Sequence, residues 1–118
     1  MAYMSEPDGI TNLIERCRKG ERKAQELLYR LYYKAMYNVC YRLLNNQFEA
    51  EDVMQEAFLS AFLRIQTYRG EVTFGSWLKR IVINKAIDVL RTRKVIFEEV
   101  DEKTALRLEQ SHTFSTEA

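Results

Sequence analysis

The chain has 118 residues, 47% of them hydrophobic, and a formal net charge of +1, which suits one domain with a core and a tail. Two cysteines are too few for a disulfide framework, no apolar run approaches the ~20 residues of a transmembrane span, and the N-terminus lacks a signal-peptide pattern, so a reduced, cytoplasmic protein without membrane insertion is expected. The near-neutral total hides blocks of +3 over residues 1–44, −4 over 45–58, +6 over 59–94 and −4 over 95–118, and such segregation in a small domain points to two partners of opposite charge.

Residues 1–8 read as a loose terminus, with Pro7 and Asp8-Gly9 as turn signals. Ile10 to Lys19 has the pattern of a short helix with Leu13, Ile14 and Cys17 on one side and Gly20 as its stop. Glu21 to Leu44 is a long amphipathic pattern in which Ala24, Leu27, Leu28, Leu31, Ala35, Val39 and Leu43 keep three-four spacing. Tyr29, Tyr32, Tyr33, Tyr37 and Tyr41 thicken it as packing residues with a wet hydroxyl. Asn45-Asn46 ends it, because asparagine tolerates a left-handed cap.

An acidic helix is expected from about Glu49 to Gln66. At about 100° per residue from Asp52, residues Ala50, Val53, Met54, Ala57, Phe58, Ala61 and Ile65 gather on a core face. Asp52, Gln55 and Glu56 fall opposite, together with Leu59 and Leu63. Carboxylates around exposed leucines suit a protein-docking surface, since the acids can take bidentate arginine and the leucines can bury area. The pattern equally fits a solvated face with two stray leucines.

Tyr68 to Thr73 is a connector with a turn at Gly70, and Thr73 is placed to cap a last helix from Phe74 to about Thr92 or Lys94. Its core face holds Phe74, Leu78, Ile81, Val82 and Val89, and a neighbouring stripe holds Trp77, Arg80, Asn84, Asp88 and Arg91. With Tyr68 and Arg69 before the helix and Arg93 and Lys94 after it, cations, a base-reading amide and aromatic rings fall together. A net +6 segment favours nucleic acid over a solvated face, although Trp77 taken alone also fits a core anchor. Residues 95–118 read as a flexible acidic linker or tail with one weak helical turn near Thr104–Leu108. The expected fold is all-α, a compact bundle of about four helices over residues 1–94 with the tail at 95–118.

Little else carries chemistry. His112 is the only histidine, so no metal site is expected. Four glycines scattered singly form no phosphate loop, and no acidic partner helix completes a carboxylate centre with Asp52 and Glu56. Neither an enzyme nor a cofactor is expected.

The run Glu49-Ala-Glu-Asp52-Val-Met-Gln55-Glu56-Ala-Phe58 resembles the polymerase-binding helix of bacterial sigma factors. The run from Phe74 to Arg91, with Phe-x-x-Trp-Leu and Asn-x-x-x-Asp-x-x-Arg, resembles their promoter-melting helix, most closely in the extracytoplasmic-function (ECF) subgroup. The likeness covers about residues 10–94. It implies a sigma region 2-like domain whose Asp52, Gln55 and Glu56, with Glu49, Leu59 and Leu63 beside them, dock on the clamp helices of the largest subunit of core RNA polymerase. It implies that Asn84 reads a base of the promoter minus-ten element, and that Tyr68–Thr73 with Phe74 and Trp77 captures a flipped base of the non-template strand. Arg80, Lys85, Arg91, Arg93 and Lys94 would hold phosphates along the stripe that includes Asp88, with Arg69 a further DNA-binding candidate just before the helix. An anti-sigma protein is a further candidate partner. A complete member also carries a second helical domain for the minus-thirty-five element, and this chain is expected to lack it. A helical protein-interaction adaptor and a duplex-DNA-binding regulator are the alternatives. The regulator would need a short helix, tight turn and recognition helix, a pair not found here.

Overall fold

A computed structural model describes the backbone of residues 7–117 and the side chains of 7–104, 106 and 107. Four α-helices follow one another: α1 (Asp8–Arg18), α2 (Arg22–Leu44), α3 (Gln47–Leu63) and α4 (Phe74–Glu117). A 3-10 turn at Ile65–Thr67 leads from α3 into the connector. No strand occurs among the described residues. The chain divides into two compact units, Met1–Ile87 and Asp88–Ala118.

The helix ends follow local chemistry. Helix α1 closes in a Schellman turn: Gly20 takes φ 84°, its amide donates to the Cys17 carbonyl, and the Glu21 amide donates to Arg16. Asn45 ends α2 with φ 51°, the left-handed conformation expected of it. The next residue caps α3, its side-chain oxygen accepting from the Glu49 amide at 2.9 Å. Thr73 caps α4, its hydroxyl oxygen accepting from the Ser76 amide at 3.3 Å.

The first unit holds the core. Helix α3 buries Ala50, Val53, Met54, Ala57, Phe58 and Ala61, the face expected from the spacing. Helix α2 differs. It buries Ala24, Leu28, Met36, Cys40 and Leu44, whereas Leu31 is 57% exposed and Ala35 and Leu43 also face water. Steps of four residues overshoot a helical turn by about 40°, so this buried line winds around α2 and does not hold one face. The winding serves two neighbours, because α2 packs on both α1 and α3. Burial pushes the thiols of Cys17 and Cys40 up from 9.0 to about 11, with Arg16 partly opposing the rise at Cys17. Both are free, inert packing residues.

Helix α4 runs past the end expected at Thr92 or Lys94. No glycine or proline follows Gly75, and Glu, Lys, Leu and Arg recur through residues 95–109, so nothing local stops the helix. In this second unit Val95, Ile96, Phe97, Val100 and Leu106 are exposed. Of the loose terminus expected over 1–8, residues 1–6 lie outside the described residues, as does the side chain of His112, while Pro7 stands at the N-cap of α1 and Asp8 opens the helix.

Candidate functional site

Two surfaces of different character lie on the first unit. On α3, Asp52, Gln55 and Glu56 are exposed, Leu59 is 65% exposed and Leu63 is 86% exposed, while Glu49 is half-buried at the capped end. The six predicted positions therefore share one helix face, opposite the buried one. Asp52 and Glu56 form no ion pair among the described residues, so both carboxylates are available to an incoming cation. Gln55 is tied along the helix, its Nε2 donating to Glu51 at 3.4 Å.

Helix α2 flanks this stripe, which the sequence did not reveal. A groove of about 600 Å³ between α2 and α3 is walled by Arg22, Glu26 and Tyr29 on one side and by Gln55, Leu59 and Phe62 on the other. A second groove of about 370 Å³ continues between Tyr29, Tyr33 and Tyr37 of α2 and Glu51 and Met54 of α3. Tyr29 stacks on Tyr33 with centroids 5.5 Å apart and meets Phe58 edge-on at 4.8 Å, so the expected packing role of the tyrosines is combined with a groove wall.

The other surface begins at the connector. Tyr68, expected to face DNA, is 4% exposed, and Phe74 is fully buried as its place on the core face predicts, although the family resemblance also gave it to the base-capturing region. Their rings lie edge-on at 5.8 Å, Trp77 packs on both at 5.2 and 5.7 Å, and Tyr32 closes on Phe74 at 5.4 Å. The Tyr68 hydroxyl donates to the Val72 carbonyl and so braces the turn at Gly70, where φ is 79°. Tyr68 and Phe74 thus hold the connector and Trp77 in place and present no ring to solvent. Trp77, half-buried, is the ring of the three that reaches the surface.

Arg18 of α1 is the residue that sequence reasoning missed. Its guanidinium donates to the Tyr68 carbonyl, its Nε donates to the Ile65 carbonyl at 3.5 Å, and its charge sits 6.0 Å from the centre of the Tyr68 ring. Gln66 returns a hydrogen bond to the Arg18 carbonyl at 2.9 Å. Nothing near Arg18 in the sequence signals a partner 50 positions away. Gly75 was unremarked too. A Cβ there would meet the Tyr32 ring at 3.1 Å, so α4 begins where only glycine lets α2 and α4 approach without displacement.

Along α4, Leu78, Ile81, Val82 and Ala86 turn inward, and Arg80 and Asn84 are exposed while Lys85 is half-buried. Arg69 is exposed on the connector. The remaining predicted positions belong to the second unit. There Asp88, Arg91 and Lys94 are exposed and Arg93 is half-buried, and Arg91 lies 3.7 Å from Asp88. The described residues contain no group of carboxylates, thiols and histidine able to hold a metal, and no helix among them is long and apolar enough to cross a membrane.

The first unit thus presents an acidic, leucine-bearing face on α3 and exposed basic side chains on α4, faces of opposite charge. Comparison with known proteins makes this specific. The profile of Sigma-70 region 2 matches residues 28–95, more than half of the chain, and the chain belongs to that family. It is 38% identical over 85 residues to the ECF RNA polymerase sigma factor SigW of Bacillus subtilis, a match covering 72% of this chain and 46% of that protein. It is 37% identical over 81 residues to the RNA polymerase sigma-H factor of Pseudomonas aeruginosa, covering 69% of this chain and 42% of that one. An NMR structure of an engineered region 2 of sigmaE in complex with GTAAAA superposes with a TM-score of 0.68 at 32% identity, over 77% of this chain and 95% of that one. The chain spans less than half the length of these curated relatives.

Proposed function

We propose that this chain is the polymerase-docking and minus-ten-recognising part of an ECF-type transcription initiation factor. Asp52, Gln55, Glu56, Leu59 and Leu63 dock on the clamp helices of core RNA polymerase, with Glu49 at the edge. In the first unit Trp77, Arg80, Asn84, Lys85 and Arg69 engage the unpaired non-template strand of the promoter, and in the second unit Asp88, Arg91, Arg93 and Lys94 are candidate DNA contacts of their own. Tyr68 and Phe74 act behind Trp77. The protein works in the bacterial cytoplasm by binding alone, spending interaction energy on unstacked bases and making no covalent bond. Residues 1–94 form the working domain and 95–118 the segment that leads out of it. An anti-sigma protein is the natural competitor for the same surfaces.

The observation that carries this function is the exposed stripe on α3, where two carboxylates with no ion pair among the described residues lead into leucines that are 65% and 86% exposed. A solvated face gains nothing from those leucines, and a docking face gains buried area. The superposition on a region 2 that binds GTAAAA supports the nucleic-acid half.

Binding to purified bacterial core RNA polymerase is the test, with Asp52→Arg alongside. Loss of binding with helicity retained is expected. Undiminished binding by the variant would remove α3 as the docking helix. Binding to unpaired minus-ten DNA should fall with salt, whereas an adaptor would show no such binding and a duplex regulator would prefer paired DNA.

A further inference from the structure

We propose that Phe48 anchors the N-terminal end of the α3 face, and that the face takes a polymerase helix with a basic middle and apolar flanks. The proposal presupposes that α3 is the polymerase-docking helix. Phe48 lies in the first turn of α3 and is 83% exposed. At about 100° per residue, Phe48 falls about 40° to one side of Asp52, Leu59 about 20° to that side and Leu63 about 20° to the other. Three large apolar side chains and one carboxylate therefore form a single line along the helix. Phe48 has no evident task within the fold, because Asn46 supplies the cap and the ring contributes nothing to the core.

The dimensions select the occupant. At 1.5 Å per residue, Phe48 and Leu63 are about 22 Å apart along α3, so a partner touching both ends is a rod such as a helix of about 15 residues. Between the ends stand Asp52, Gln55 and Glu56, in a stretch from 45 to 58 that contains four acids and no base. That centre calls for arginine or lysine on the partner, flanked by apolar residues that meet Phe48 at one end and Leu59 and Leu63 at the other. A second copy of this chain does not fit. An antiparallel pair would turn about the midpoint of the stripe, at Gln55 and Glu56, and set carboxylate against carboxylate. A phosphate backbone is repelled by the same charges. An exposed phenylalanine at the end of such a line has the size and position of an interface anchor.

The test is equilibrium binding of the labelled 118-residue chain to purified bacterial core RNA polymerase, for the parent chain, Phe48→Ala, Phe48→Leu and Asp52→Arg. Phe48→Ala is expected to raise Kd at least about tenfold, equally at low and high salt because an apolar contact is lost, while the melting temperature stays unchanged. Phe48→Leu keeps an apolar side chain and should recover most of the affinity. If Asp52→Arg abolishes binding and Phe48→Ala leaves it within about twofold, the anchor is refuted and the docking helix stands. If neither variant weakens binding, the docking helix itself is wrong and the anchor falls with it. Parent chain that pairs with itself through α3, lost in Phe48→Ala, would overturn the choice of occupant.

Discussion

On α3 the side chains assigned to a partner stand in water on a helix held by its own cap and core face. On the connector and the first turn of α4, two of the three rings assigned to DNA are packed into the fold, and the third rests on them. One surface is decoration on a finished scaffold, and its residues can be changed without touching stability. The other is made of the scaffold, so substitutions there change binding and stability together. A protein that must grip a large rigid partner can present a preformed face, whereas one that must receive an extruded base needs a shaped and supported loop.

The contrast can be broken most sharply at Phe74, which is fully buried among Tyr32, Tyr68 and Trp77. Phe74→Ala should cost about 3–5 kcal/mol in chemical denaturation, the range for deleting a buried phenylalanine. A cost below about 1 kcal/mol would mean the cluster is loose. Arg18→Ala comes next. Stranding the carbonyls of Ile65 and Tyr68 should cost about 1.5–3 kcal/mol and weaken DNA binding from a site remote from any base. Unchanged DNA affinity would detach Arg18 from the function of the connector. Asn84→Ala sharpens the comparison from within α4, because Asn84 is exposed there. It should leave the melting curve alone and reduce discrimination between promoter bases by about 1–3 kcal/mol, the scale of one good base contact. Uniform loss across sequences would reassign it to backbone contact. The smallest effect belongs to Leu63→Ala. Its stability should stay within about 0.5 kcal/mol of the parent, and a larger loss would show that the α3 face is not free.

The α3 face was legible because a helical wheel needs only spacing, and one core face fixes the opposite one. The same wheel held Phe48, which was passed over only because the helix was expected to begin at Glu49, two residues after its true start at Gln47. On α2 the wheel misled. Two apolar sides were available, and which leucines are covered depends on α1 and α3, which the sequence of α2 does not contain. Tyr68 resembles a stacking ring because it adjoins Arg69 and a basic helix, whereas the spacing already puts Phe74 on the core face. What buries them is contact with Arg18, Tyr32 and Trp77, the first two of which lie far back in the chain. Helix α4 continues past Thr92 and Lys94 because no residue of the acidic segment breaks a helix.

Arg18 has one more consequence. Helices that are neighbours in sequence, α1 with α2 and α2 with α3, pack together in the first unit, and contacts of that kind form early. The bond from Arg18 to the Tyr68 carbonyl closes a span of 50 residues, and the entropy of closing it is repaid only after the helices are in place. The connector is therefore expected to order after the helices and to loosen before them, which hydrogen exchange would register as early loss of protection at the Tyr68 amide while α3 stays protected.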